Sequence, residues 1–391
     1  MAWQLKGQAG DFMVYEILDD VTEQRWKEKL SRIRGDGSKR ERGRYLWMTM
    51  RKHDLDFFRA IDMLAKSLGI STRSISYSGT KDKRAVTSQT ISVFGIDEKD
   101  AGKIAINGME LSGFRFRHRH VRLGEHSGNR FRITVRNVEP DEMDWVKRSL
   151  GDMKREGMVN YFGEQRFGSC RHVDDEVGKH IILGEFKEAV MSFLTVTSDS
   201  EPAATREARR NLMRTGDLAA ASREFPVSLG HEHAMISHLA RRPDDCIGAL
   251  RRLPLRLLKL FVHAYQSMIW NKAAGAVLAE GRGQACIPIP GYKTRLGRYG
   301  KLKGVLERVM KDEGIKTGMF RVGAFPRLSS AGSERNLLVH PANLSCSIED
   351  DDLNKGMKKL LLSFGLPSGS YATELVRQIQ TNADGRFADG L

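Results

Sequence analysis

Apolar residues follow strand spacing at both ends of this 391-residue chain and helical spacing through its middle. Phe12 to Leu18, Tyr45 to Lys52, Ser74 to Tyr77 and Thr87 to Phe94 read as strands, the second as a buried one. From Asp54 to Leu68 the residues Phe58, Ile61, Ala65 and Leu68 recur at helical spacing, and Gly69 follows as a C-terminal cap. In the stretch Phe114 to Arg136, Arg115, Arg117 and Arg119 alternate with Phe114, Phe116, His118 and His120. An extended chain there shows one cationic face and one aromatic and imidazole face. A turn is expected at Gly128-Asn129, after which Phe131, Ile133 and Val135 alternate with Arg130, Arg132 and Arg136. Pro140 then opens a helix carrying Met143, Val146, Leu150 and Met153, ended by Gly157.

After "NYFGEQRFGS" (Asn160 to Ser169) the pattern changes. From Val173 to about Gly281 nearly everything reads as helix, including "PLRLLKLFVHAYQSMIWNKAAGAVLAEG" with an apolar stripe of Leu257, Phe261, Ala264 and Met268. Strand patterns return in "ACIPIP" (Ala285 to Pro290), "NLLVHP" and "LSCSI". The last signal, "FGLPSGSYATELVRQI" (Phe364 to Ile379), is a Gly/Ser turn leading into a short helix. A helical block between two mixed blocks suggests an insertion in a parent domain built of strands and helices.

Composition narrows the function classes. Hydrophobic residues make up 40% and charged ones 29%, which suits a soluble protein with a proper core. No apolar run approaches a membrane span, and the N-terminus lacks a signal pattern, so a cytoplasmic protein is expected. Cys170, Cys246, Cys286 and Cys346 form no C-x-x-C pair, which argues against a zinc ribbon or a disulfide framework. The net charge of +15 points to a polyanionic partner, with adaptation of surface charge as the plainer alternative. The basic run Ser31 to Arg44, "SRIRGDGSKRERGR", is either a solvated loop or an RNA contact.

Most chemical templates are missing. There is no P-loop, no dinucleotide-binding glycine motif and no nucleophile elbow. His231, His233 and His238 lie on an amphipathic helix without further ligands at metal spacing, so no metal is expected. What remains is "YSGTKDKRAVTSQTISV" (Tyr77 to Val93), where Asp82 sits on a loop between two strands beside Lys81, Lys83 and Arg84. Neighbouring cations favour the ionised carboxylate, which suits a nucleophile or a base better than an acid. The same cations could hold phosphates flanking a nucleotide. A salt-bridged aspartate in a surface turn accounts for the pattern equally well.

"SGTKDKRAVTSQTISV" resembles the G-x-K-D-x-x-A-x-T-x-Q signature of the TruD family of tRNA pseudouridine synthases. Other segments are similar to that family's motifs in family order: "GDFMVYEI", "LGEHSGNRFRITVR", "NYFGEQRFG", "LPLRLLKLFVHAYQSMIWN" and "FGLPSGSYATELVR". The resemblance spans Asp11 to Arg377. It implies an α+β fold, a pseudouridine-synthase core with a mixed, largely antiparallel sheet flanked by helices and an inserted, mostly helical TRUD domain. The implied division is core at 1–159, insertion at 160–340 and core again at 341–391. The implied reaction is isomerisation of uridine to pseudouridine in tRNA, at uridine 13 of the D-arm, without cofactor; a monomer is expected. A non-catalytic tRNA-binding protein on the same fold is the alternative.

The family's catalytic aspartate matches Asp82. Asn129 and Phe131 match its pair beside the flipped uridine, Phe131 as a stacking platform, although its parity with Ile133 and Val135 also fits a core residue. Lys81 and Gln89 are expected to orient Asp82, and Glu16 matches a motif glutamate. Arg84, Arg115, Arg117 and Arg119 are expected to contact phosphates. Tyr161, Phe162 and Phe167 are expected to pack, and Gln266 and Asn271 are polar exceptions on an apolar helix. Gln378 departs from the family's acidic tendency at its position. The long basic run and the long helical block resemble the archaeal and eukaryotic branch.

Overall fold

In the computed structural model, residues 3–18, 44–168, 170–281 and 285–383 are described. The basic run Ser31 to Arg44 lies outside them except for Arg44. The chain divides into two compact units, one drawn from Met1–Met158 and Val339–Arg386, the other from Val159–Leu338.

The first unit is built on a nine-stranded sheet. Its strands are β1 (Gln4–Leu5), β2 (Phe12–Ile17), β3 (Tyr45–His53), β4 (Ile75–Tyr77), β5 (Val86–Phe94), β6 (Met109–Arg117), β7 (Gly128–Val138), β8 (Ala342–Asp350) and β9 (Lys358–Pro367). The order is β8-β9-β7-β2-β5-β3-β6, with β1 added to β7 and β4 to β5. β2 runs parallel to β5, and the other pairings are antiparallel. Helices Met143–Glu156 and Ala372–Ala383 share a core with β2, β7 and β9. Helix Phe57–Ser67 covers β3 and β5.

Local chemistry explains these elements. Asp56 caps the helix Phe57–Ser67 by accepting from the Arg59 amide at 3.0 Å. Gly69 follows at φ +65, a backbone state that favours glycine. The buried face is Phe57, Ala60, Ile61, Leu64 and Ala65, whereas the expected Phe58 is exposed. Gly128 and Asn129 do not turn. They open β7 and pair with Pro367 and Leu366, and the bend comes earlier, at residues 123–124. A Cβ on Gly128 would lie 2.4 Å from the Leu366 carbonyl oxygen, so glycine there permits the close approach of β7 and β9. The β9 strand was not expected; its "LLLSF" run is too short for periodicity to separate strand from helix.

Arg136 also departs from its expected place. The pairing of β7 with β9 shifts register between Lys358 and Leu360, and Arg136 turns inward. There it binds Asp11 through two bonds of 3.0 Å, Asp351 at 2.8 Å and Asp352 at 2.9 Å. These carboxylates raise its pKa and satisfy a charge that would be costly if left unpaired.

The second unit is mainly helical, around the 25-residue helix Leu255–Ala279. Phe261 and Ala264 are buried in it as expected, while Leu257 and Met268 are partly buried and Leu258, Val262 and Tyr265 complete the core. Its polar exceptions tie loops to the helix. Asn271 accepts from the Phe162 amide and donates to the Phe162 carbonyl, both at 2.9 Å, replacing a backbone partner. Gln266 donates to the Pro290 carbonyl and, at 2.9 Å, to Ser330. Phe162 meets Trp270 edge-on at 5.6 Å and has the Arg335 guanidinium over its ring at 4.0 Å, consistent with a packing role for that motif.

Candidate active site

The loop between β4 and β5 carries Asp82, and several groups hold its backbone. The Ser78 carbonyl accepts from the Gly124 amide at 2.6 Å, and the Gly79 carbonyl accepts from Gln89 Nε2 at 2.8 Å. The Asp82 carbonyl accepts from the Lys52 ammonium. Side chains hold the loop as well: Ser78 donates to Glu16 Oε1, and Lys81 Nζ reaches the same oxygen at 3.0 Å. Glu16 Oε2 accepts from the Thr90 amide at 2.9 Å. The Glu16 side chain is almost wholly buried, so its charge is met by one ammonium and two neutral donors.

Asp82 itself is more open. Its Oδ2 accepts from Lys6 Nζ at 2.6 Å, and its side chain keeps 36% exposure. Among the described residues, no hydrogen bond to Oδ1 is seen. Lys6 lies over the Phe12 ring at 4.3 Å, which fixes the ammonium against an apolar surface. The carboxylate therefore has one oxygen held and one side open, on a loop anchored at each turn. That arrangement suits a nucleophile or a base.

Lys81 and Gln89, expected to orient Asp82, and Glu16 all contact the loop or the strand that follows it. Lys81 does so through Glu16 rather than through Asp82, which pairs with Lys6, 76 positions away in sequence. Among the described residues, the buried side-chain oxygens of Gln89 and Asn129 find no hydrogen-bond partner, and Asn129 sits opposite Glu16 in the β2–β7 register. Such orphan acceptors invite a donor from a ligand.

Phe131 is not an open platform. It is 6% exposed, stacks on Phe364 at 5.4 Å and meets Phe12 edge-on at 6.4 Å. Its strand parity, rather than its position in the motif, describes its surroundings. Arg119 is likewise committed inside the protein. It lies beyond the end of β6, pairs with Glu125 and covers the Trp47 ring at 5.0 Å. The three arginines thus do not form one cationic row. Arg84 and Arg115 are exposed, and Arg117 is partly covered.

Three further groups were not anticipated. Lys6 and Lys52 meet Asp82 only through long-range pairing, although Lys52 shares strand parity with Leu46, Met48 and Met50. His126 is the third. Its Nδ1 lies 3.7 Å from Glu16 Oε1, and its Nε2 is 3.1 Å from Ser368 Oγ. Burial and the Lys81 charge lower its pKa, with Glu16 opposing, which favours the neutral ring. Among the described residues, no group of His, Cys, Asp or Glu could hold a metal ion, and no helix is long and apolar enough to cross a membrane. His233 instead meets the carbonyls of Phe225 and Pro226, and His238 meets Asp245 at 2.9 Å.

A family model described as tRNA pseudouridine synthase D (TruD) matches residues 1–282 and 274–379. A relative from Methanosarcina mazei, named "Probable tRNA pseudouridine synthase D", is 33% identical over 424 residues, covering 96% of this chain and 92% of its own length. One of the same name from Methanopyrus kandleri is 33% identical over 364 residues, covering 89% and 88%. A crystal structure described as "the Putative tRNA pseudouridine synthase D (TruD) from Methanosarcina mazei" superposes with a TM-score of 0.76 at 32% identity. It covers 97% of this chain and 94% of its own.

Proposed function

We propose, from the premise that the chain belongs to the tRNA pseudouridine synthase D (TruD) family, that it converts uridine 13 in the D-arm of tRNA to pseudouridine, with Asp82 as the reacting carboxylate. The observation that carries this reading is the geometry of Asp82. It is a half-open carboxylate on a loop held by Gly124, Gln89, Lys52 and Lys81, with Lys6 on one oxygen. The isomerisation breaks the N1–C1′ bond, turns the base and joins C5 to C1′, with C5 losing its proton and N1 taking one up. It is redox-neutral and adds no group, so the chemistry calls for no cofactor. Attack on C1′ and removal of the C2′ proton both begin with the same carboxylate.

The orphan oxygens of Asn129 and Gln89 support a uracil-facing role for the two amides, since the imide and C–H edges of a turning base offer donors. Phe131 and Phe364 then back that wall from within the core. The unit drawn from Val159–Leu338 is taken as the inserted TRUD domain. Net charge of +15 supports a tRNA partner.

Incubation with unmodified tRNA, followed by mapping of pseudouridine, is the test. The expected product is pseudouridine at position 13, formed without added cofactor. Asp82→Asn should abolish it while tRNA affinity stays within roughly a few-fold, because removing a negative charge near phosphates does not weaken binding. Turnover by the variant, or no pseudouridine from the wild type, would falsify the reading. Tight binding without turnover in the wild type would favour a tRNA-binding protein.

A further inference from the structure

We infer that Lys52 is a positioning residue for Asp82: from inside the sheet its ammonium holds the Asp82 carbonyl, while Lys6 holds the carboxylate. The inference rests on the reading of Asp82 as the reacting group. Leu46, Met48, Met50 and Lys52 alternate along β3 and are all buried, Lys52 at 1% exposure. A lysine therefore occupies the fourth inward position of a strand whose other inward positions are apolar. Its neighbours in β5 and β6, Thr87 and Met109, bring no charge. Among the described residues, the charges that act on it most are Asp82 from the loop, Asp56 and Asp54 from the segment after β3, and Lys6 from the segment after β1.

Burial works against a charged lysine at this position. Burial lowers its pKa from 10.5 to about 8, against the pull of the three aspartates. Between those two values the unfolded chain binds more protons than the folded one, so stability rises with pH across that window. Below about pH 8 the buried ammonium therefore carries its full cost. What that cost secures is one fixed bond to the backbone of the residue that bears the reactive carboxylate. With the carbonyl and the carboxylate each gripped by an ammonium, the side chain has little freedom to swing, and small errors in aim cost rate steeply.

The test uses the full-length protein, unmodified tRNA and two variants. Lys52→Met removes the donor, and Lys52→Gln keeps a donor without charge. At pH 7 kcat should fall roughly 10- to 100-fold in Lys52→Met and less in Lys52→Gln, with KM for tRNA within about two-fold of wild type in both. The ratio of wild-type to Lys52→Gln rate should then shrink as pH rises from about 7 to 9.5, as Lys52 loses its charge. Comparing two proteins on one substrate cancels the alkaline titration of the uracil imide. A Lys52→Met kcat within about two-fold of wild type, or a rate ratio constant with pH, overturns the inference. So does a loss of fold in both variants, seen by thermal melting, which would assign Lys52 to the fold alone. No pseudouridine from the wild type overturns the proposed function itself.

Discussion

Phe131 shows how residue-level reading and motif position can diverge. Its ring stacks on Phe364 and touches Phe12, and it lies in the core shared with Ile133, Val135 and Leu362. Truncating such a phenylalanine removes its transfer energy and leaves a cavity. Phe131→Ala should therefore cost about 3–5 kcal/mol, read as a clear drop in denaturation midpoint. Near-normal stability with slow turnover would return Phe131 to the uridine-facing wall. Asp82 was legible in the sequence because its motif and its flanking cations are local. Its ion-pair and hydrogen-bond partners were not, because Lys6 and Lys52 reach it across 76 and 30 positions. His126 is hidden for the same reason: nothing near it in sequence marks the approach to Glu16.

At the scale of elements, periodicity found most strands and helices but missed shifts of one residue and close approaches. Phe57 and Phe58 satisfy helical spacing almost equally, and only packing against β3 and β5 selects Phe57. The register shift that buries Arg136 arises from the pairing with β9, a strand that the sequence pattern did not reveal. Close approach is best seen at Gly178 in the helix Asp174–Leu183. A Cβ there would lie 2.0 Å from the Phe261 carbonyl oxygen and 3.1 Å from Tyr265 Cβ. In an exposed helix interior, replacing glycine by alanine gains about 1 kcal/mol. Here the added methyl must push two helices apart, and overpacking of that kind costs about 1–3 kcal/mol or more. Gly178→Ala should therefore destabilise the protein in chemical denaturation. A stabilised variant would mean that the two helices yield easily.

At the scale of the whole molecule, charge is the most legible property and its placement the least. A net charge of +15 and a run of alternating arginines both point to a polyanion. Alternation alone makes Arg115, Arg117 and Arg119 equivalent. They are not: the β6 strand ends at Arg117, and Arg119 is paired with Glu125 against Trp47. Arg84 and Arg115 instead have exposed side chains that can meet phosphates. If they do, tRNA affinity should fall steeply with salt as counterions are released. Neutralising Arg84 or Arg115 should reduce the log–log slope by roughly 0.7 to 0.9 for each phosphate no longer neutralised. Arg119→Ala should leave that slope nearly unchanged, since its guanidinium already has a carboxylate partner. It should instead loosen the segment around Glu125, which neighbours the Gly124 amide that holds Ser78. Its effect would then appear in turnover more than in binding. Titrations of labelled tRNA at several salt concentrations separate these outcomes. A slope that drops for Arg119→Ala but not for Arg84 or Arg115 would put the phosphates on the inner arginine, and the ion pair with Glu125 would have to open when RNA binds.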